Sequence, residues 1–335
     1  MLDTESTVIV RRQGRVGRIT LNRPRALNAL DPGMLTAIRD ALLDWQDDPA
    51  VHAVVIDASG GRAFCAGGDI RAIRTMALEG DWEGVRSFFA EEYALNLLIA
   101  RYPKPYVALI DGICMGGGIG VSVHGSTRVV TEAAVFAMPE TGIGFFPDVG
   151  MSYALPRLRG HIGMYMALTG ARVPGADAVH AGLATHYTTR ERMAGLADDL
   201  AEHGVAALAG AASQVPVGTL PDDLHCFGAG SVRDVLHELK RRGTTWADDA
   251  ARAMRSASPS AVLWSFELVQ RGATRELEAC LQAELALAQV CTQHPDFAEG
   301  IRAMVVDKDR TPRWSPARIE DVTAEAVAEW RAVVS

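Results

Sequence analysis

Short apolar and β-branched runs separated by helix-length stretches constrain this chain more than any other feature. The runs are residues 7–13, 16–22, 53–57, 106–110, 127–131 and 135–138, several of them closed by Gly, Pro or Asp. Between them lie helical patterns. One opens at Asp31-Pro32, an N-cap followed by proline at the first helical position, and runs to about residue 47; another covers about 84–100. Strands spaced by helices of this length need crossover connections, which predicts an α/β fold.

Beyond about residue 157 the pattern turns almost wholly helical. Pro216, Gly218 and Pro221 interrupt it in SQVPVGTLPDD, and helical runs resume at 232–240, 259–270 and 277–291. The expected organisation is therefore a core over 1–212, a linker over 213–223 and a helical region over 224–335. At 335 residues and 48% hydrophobic, the chain is long enough for a sizeable core.

The net charge of −8 argues against a general nucleic-acid or membrane-surface binder, though local arginines can still receive an anionic ligand. The five cysteines, at 65, 114, 226, 280 and 291, form no CxxC pair, which fits a reducing compartment. The N-terminal residues lack the pattern of a secretory or transit segment, and no apolar run reaches the roughly 18 residues of a membrane helix. A cytoplasmic location is expected.

Two glycine-rich segments, FCAGGDI (64–70) and MGGGIG (115–120), each follow a strand where a helix is about to begin. Backbone N–H groups there lack partners and point outward. Two such turns side by side can offer two donors to one oxygen, as an oxyanion hole requires. The same glycines equally serve tight turns with close strand–helix packing.

A third segment, FAMPETGIGFFPD (136–148), sets Glu140 and Asp148 in largely apolar surroundings. Such carboxylates tend toward raised pKa values and can act as acid, base or nucleophile. The plainer alternatives are a solvated loop acid or a helix cap. No GxSxG, HExxH or GxxxxGK[ST] occurs, and His124 in GVSVHGS reads as structural. Any hydrolytic chemistry therefore points to a carboxylate.

Taken together with NRPRALNAL (22–30), these segments resemble the crotonase (enoyl-CoA hydratase/isomerase) superfamily. The resemblance implies a ClpP/crotonase-like stacked-strand spiral core with a helical C-terminal region. It puts the two oxyanion N–H groups on Gly68 and Gly117. It places Arg25, Ala26, Leu27, Ala66, Gly68, Asp69 and Ile70 along coenzyme A, with Arg23, Arg71 and Arg74 as further phosphate candidates. The hydratases of the family use two glutamates. The second matches Glu140; the first falls on Gly120, which cannot act as acid or base.

The stretch 115–160 and CTQHPDFAEGIRAMVVDKDRTPRWSP (291–316) are similar to the 3-hydroxyisobutyryl-CoA hydrolase branch. That similarity implies hydrolysis of 3-hydroxyisobutyryl-CoA, as in valine breakdown; 3-hydroxypropionyl-CoA, which keeps the hydroxyl and lacks only a methyl, is expected to be cleaved as well. Glu140 and Asp148 would be catalytic, and Glu92, Gly117, Glu140 and Asp148 would bind the acyl group. No metal or redox cofactor is called for, coenzyme A being part of the substrate. The expected partners are an acyl-CoA and copies of the chain itself, with no nucleic acid or membrane. Isomerase- or hydratase-type chemistry on another acyl-CoA, and a non-catalytic acyl-CoA-binding protein, remain open at this point.

Overall fold

The structure, a computed structural model, describes residues 6–221 and 223–334. Its contacts group into two compact units, each discontinuous in sequence. The first comprises residues 1–68, 94–136 and 173–220; the second comprises 69–93, 137–172 and 221–335.

Among the described residues the first unit holds ten strands, apart from the last residue of the eighth. A six-stranded sheet contains β1 (Val8–Gln13), β2 (Val16–Leu21), β3 (Ala53–Ala58), β5 (Tyr106–Ile110), β7 (Thr127–Val130) and β10 (His186–Tyr187), in the order β1-β2-β3-β5-β7-β10. A four-stranded sheet contains β4 (Ala63–Cys65), β6 (Ile113–Met115), β8 (Val135–Ala137) and β9 (Val173–Pro174), in the order β4-β6-β8-β9. β1 and β2 form an antiparallel hairpin around the left-handed Gly14 (φ 55°), whereas β2, β3, β5, β7 and β10 run parallel. The α/β expectation holds.

Alternate residues explain the core of this unit. Ala53 and Val55, Val107 and Leu109, together with Val16 and Val129, share a cluster with Leu196, Ala197, Leu200 and Ala201 of the helix Arg190–His203. A period of two aims each strand's alternate side chains at one face. The helix Pro32–Gln46 starts where the sequence predicts, with the Asp31 side chain accepting from Met34 N at 2.9 Å. Gly17 leaves room for its Trp45: a Cβ there would sit 2.2 Å from the indole ring.

Two expectations are refined. The helix expected over 84–100 begins earlier, at Trp82. The region beyond residue 157 also contains β9 and β10, each only two residues long and too short to show a period.

The second unit is helical. Ten residues of Pro259–Gly272 are buried, with the Ser258 hydroxyl capping its first turn through Ala261 N at 3.2 Å. An aromatic cluster joins Phe89 to Phe145 (ring centroids 5.3 Å apart), Phe145 to Phe146 (4.4 Å) and Phe145 to Phe297 (5.7 Å). Among the described residues no helix is long and apolar enough to cross a membrane.

Candidate active site

The residues singled out by sequence fall in both units, and each group is built within its own.

In the first unit, β4 and β6 run parallel with Ala63 opposite Ile113 and Cys65 opposite Cys114. The two glycine turns therefore leave neighbouring strands side by side. Gly67 (φ 112°) and Gly116 (φ 48°, ψ −124°) adopt backbone that a side chain disfavours. A Cβ on Gly67 would lie 3.9 Å from Gly117 N, and one on Gly118 would lie 2.4 Å from the Cys65 carbonyl oxygen. The Gly116 carbonyl accepts from Ile119 N (2.8 Å) and Gly120 N (3.1 Å) and opens the short helix Gly117–Val123. The Gly117 N–H belongs to that helix's first turn, where no intrahelical acceptor exists. Gly120 is buried in the same helix.

The segment 66–68 lies against the NRPRALNAL loop. Ala66 N donates to Leu27 O (3.0 Å), Leu30 N donates to Gly67 O (2.8 Å), and Leu30 and Gly68 form a parallel bridge. Leu27 (φ 52°) and Asn28 (φ 56°) take left-handed backbone. The buried Asn28 side chain secures the loop by accepting from Arg23 N and donating to Ser59 O and Ala63 O. Arg25 and Pro24 are exposed, with Ala26 and Leu27 half-buried. Arg23 instead turns to Ala29 O (3.1 Å) and Asp31 (3.7 Å).

In the second unit, Arg71, exposed, and Arg74, half-buried, on the helix Ile70–Glu79 each donate one hydrogen bond to a backbone carbonyl, of Val305 and Ala298 respectively. Asp69 and Ile70 open that helix, half-buried. Glu92, Glu140 and Asp148 are all buried, at 2%, 8% and 6% exposure. Glu92 lies on the helix Trp82–Ala100, so it is no solvated surface acid.

Glu140 opens the 3-10 turn Glu140–Ile143, which the C-terminal helices hold. Ser258 N donates to Thr141 O (3.1 Å); a Cβ on Gly144 would fall 2.3 Å from Asp296 O, and one on Gly300 would fall 2.4 Å from the Ile143 carbonyl carbon. Only glycines permit so close an approach. Asp148 is no helix cap: the N-cap position belongs to Gly150, and the Asp148 carboxylate accepts from Tyr93 Oη at 2.9 Å.

The electrostatics of this cluster are strained. Burial pushes the Glu140 carboxyl well above the usual carboxylate range; the Asp148 charge raises it further, its own backbone N–H opposes, and Glu92 adds a little. Glu92 is likewise raised, by burial and then by Asp148. Asp148 is pushed up to about 7 by burial, against the opposing Tyr93 hydrogen bond and its own backbone N–H. Glu92 Oε1 and Glu140 Oε2 are buried with no hydrogen-bond partner among the described residues. A buried, unpartnered carboxylate oxygen is costly unless something outside the chain meets it. Among the described residues no three His, Cys, Asp or Glu are grouped to hold a metal ion.

Sequence reasoning missed two members. Tyr93 follows Glu92 directly, and its hydroxyl is the partner of Asp148. Glu284, fully buried on the helix Leu277–Gln293, accepts from Gly150 N and Ser152 N just past Asp148. A glutamate within the apolar run AELALA was the available signal. A separate hollow of about 490 Å³, lined by Leu155, Met164, Phe227 and Val269 among others, contains none of these acids.

Against known proteins, the profile of the family described as Enoyl-CoA hydratase/isomerase matches residues 16–330. The 3-hydroxyisobutyryl-CoA hydrolase, mitochondrial, of Rattus norvegicus is 42% identical, the alignment covering 95% of this chain and 86% of that protein. Its Homo sapiens counterpart is 40% identical, covering 96% and 88%. Among solved structures, a carnitinyl-CoA dehydratase from Mycobacterium thermoresistibile superposes with a TM-score of 0.93 at 40% identity, covering 97% of this chain and 96% of the other. An enoyl-CoA hydratase from Rhodobacter sphaeroides 2.4.1 gives 0.88 at 38% identity, with 97% of each chain covered.

Proposed function

The chain belongs to the enoyl-CoA hydratase/isomerase family, and we propose that it is an acyl-CoA thioesterase that hydrolyses 3-hydroxyisobutyryl-CoA to 3-hydroxyisobutyrate and free coenzyme A. The observation that carries the reading is the trio Glu92, Glu140 and Asp148, all buried in one unit with Glu140 perturbed by the other two, in a chain about 40% identical to proteins of that name. Two structural relatives are named a carnitinyl-CoA dehydratase and an enoyl-CoA hydratase, but the position of the first hydratase glutamate holds the buried Gly120 here.

In this proposal the N–H groups of Gly68 and Gly117 receive the thioester oxygen as it gains charge. The Glu140 carboxylate either attacks the carbonyl carbon or takes a proton from an attacking water. In the first route the C–S bond breaks, the sulfur leaves as thiolate and takes up a proton, and water then opens the mixed anhydride. In the second, water's oxygen bonds directly to the carbonyl carbon, the C–S bond breaks, and the departing thiolate takes up the proton that Glu140 removed from the water. Both consume one water and yield acid and thiol. Glu92 and Asp148 accept from the substrate hydroxyl or hold the water. Arg25, Ala26, Leu27, Ala66, Gly68, Asp69 and Ile70 contact coenzyme A. The chemistry requires no metal or redox cofactor. A cytoplasmic location, in valine breakdown, and self-assembly complete the reading; the curated relatives carry mitochondrial names.

Purified protein would be given 3-hydroxyisobutyryl-, 3-hydroxypropionyl-, isobutyryl- and crotonyl-CoA, with thiol release and loss of the enoyl chromophore followed separately. Thiol release is expected from both hydroxyacyl substrates, since one methyl in an apolar pocket changes specificity by only roughly 1–3 kcal/mol. It should be far slower from isobutyryl-CoA, which leaves buried acceptors unpaired. Rapid crotonyl-CoA hydration with no thiol release would overturn the hydrolase reading.

A further inference from the structure

The turn that carries Asp148 is held by a buried carboxylate for which the reaction has no use. Val149 has φ 54°, a left-handed conformation that a β-branched residue rarely adopts, and it is fully buried. Gly150 follows at φ 81°. Such backbone persists only where its surroundings over-determine it. Glu284 bonds the residues that follow Val149. Its Oε2 accepts from Gly150 N at 2.7 Å; its Oε1 accepts from Ser152 N at 3.0 Å and from the Ser152 hydroxyl. The helix Pro259–Gly272 packs on the same turn, where a Cβ on Gly272 would fall 1.8 Å from Ser152 O. The Asp148 side chain is fixed separately, by Tyr93. The residues just after Asp148 and the side chain of Asp148 are thus held separately, each by a buried partner.

We propose that Glu284 is a positioning residue, which holds the turn from Asp148 to Ser152 in its left-handed form and so orients Asp148 toward the hydroxyl of the acyl group. The proposal rests on the functional reading only for the role of Asp148. Glu284→Gln keeps the shape but turns an amide nitrogen toward donors that need an acceptor, so at least one of the three contacts is lost.

The experiment has a structural and a kinetic arm. A crystal structure of Glu284→Gln should show Val149 out of the left-handed region or the Asp148–Tyr93 hydrogen bond broken. The ratio of kcat/KM for 3-hydroxyisobutyryl-CoA over isobutyryl-CoA should fall by roughly fivefold or more, the coupling expected within one hydrogen-bond network. In an Asp148→Ala background, adding Glu284→Gln should leave that ratio where Asp148→Ala put it. A merely structural role would lower the folded fraction and scale both substrates alike, leaving the ratio untouched. Should Glu284→Gln not fold, Ser152→Ala removes only the hydroxyl donor and should give a smaller fall in the same ratio. An unchanged turn, or an unchanged ratio, overturns the proposal. If the wild-type protein releases no thiol from either hydroxyacyl substrate, the functional reading falls, and the turn's geometry in the variant alone decides the role of Glu284.

Discussion

Glu140 combines a buried position, an unpartnered oxygen and two acidic neighbours, Asp148 and Glu92. Replacing it with glutamine keeps the volume and removes both charge and nucleophile. Turnover of 3-hydroxyisobutyryl-CoA should then drop by about 10²–10⁴-fold, while titration with a non-hydrolysable acyl-CoA analogue shows binding retained. Wild-type turnover in the folded variant would remove Glu140 from its role. The pH profile tests the same cluster differently. Glu140 must be ionised to act, and its pKa is raised, so activity is lost as pH falls through a range well above that of ordinary carboxylates. Asp148, pushed up to about 7, titrates in the same cluster, so the acid limb of kcat/KM reports the coupled group rather than one residue. Asp148→Asn removes a negative neighbour of both glutamates and should move that limb to lower pH. An unmoved limb would mean that the cluster is not what the profile reports.

At the scale of elements, the decisive contact in the first unit is between the start of the helix Gly117–Val123 and strand β4. A Cβ on Gly118 would meet the Cys65 carbonyl oxygen, which is backbone and cannot swing aside. Gly118→Ala should therefore shift the helix start and with it the Gly117 N–H. Overpacking of this kind costs about 1–3 kcal/mol of stability, and a displaced oxyanion donor costs about 10²–10³ in kcat. Denaturant unfolding and steady-state kinetics on one preparation separate the two; wild-type kcat in folded Gly118→Ala would place the hole elsewhere. The glycine turns were visible in advance because each comes soon after an apolar, largely β-branched run, β3 and β5, whereas the three-residue strands β4 and β6 that lead directly into them are too short to show a period. The partners of the acids were not legible. Tyr93 and Glu284 stand 55 and 132 to 134 residues from the groups they bond, and no local period links such positions. Sequence similarity named Glu92 and Asp148 but said nothing of what holds them. The division at 213–223 follows composition along the chain, whereas the compact units follow contacts and interleave three segments each.

At the scale of the molecule, the buried acids set how stability depends on pH, and the sign follows from linkage. Glu92, Glu140, Asp148 (about 7) and Glu284 (about 8) all have folded-state pKa values raised above those of the unfolded chain, burial being the first cause in each case. Between the ordinary carboxylate range and pH 8 the folded state therefore binds more protons than the unfolded one. Stability must fall as pH rises through that window. Other acids act in the opposite sense at lower pH. Asp223, held down to about 2 by Arg242, and Glu299 and Asp309, held down by Arg302, favour folding above the usual carboxylate range and lose that effect on acidification. Asp223 and Asp309 are exposed to solvent and screened, and Glu299 is half-buried, so these pairs shape the acid edge more weakly. The two trends oppose each other across the ordinary carboxylate range, so stability is expected to decline from mildly acidic pH toward pH 8. Thermal unfolding from pH 5 to 9 should show Tm rising as the pH is lowered from 8.5 to about 6. The slope over that interval should flatten in Glu92→Gln/Asp148→Asn, which removes two of the groups responsible. A Tm that climbs from pH 6 to 8.5 in the wild-type protein would show that the acids are already ionised in the fold, and would count against Glu140 as a carboxylate raised by burial.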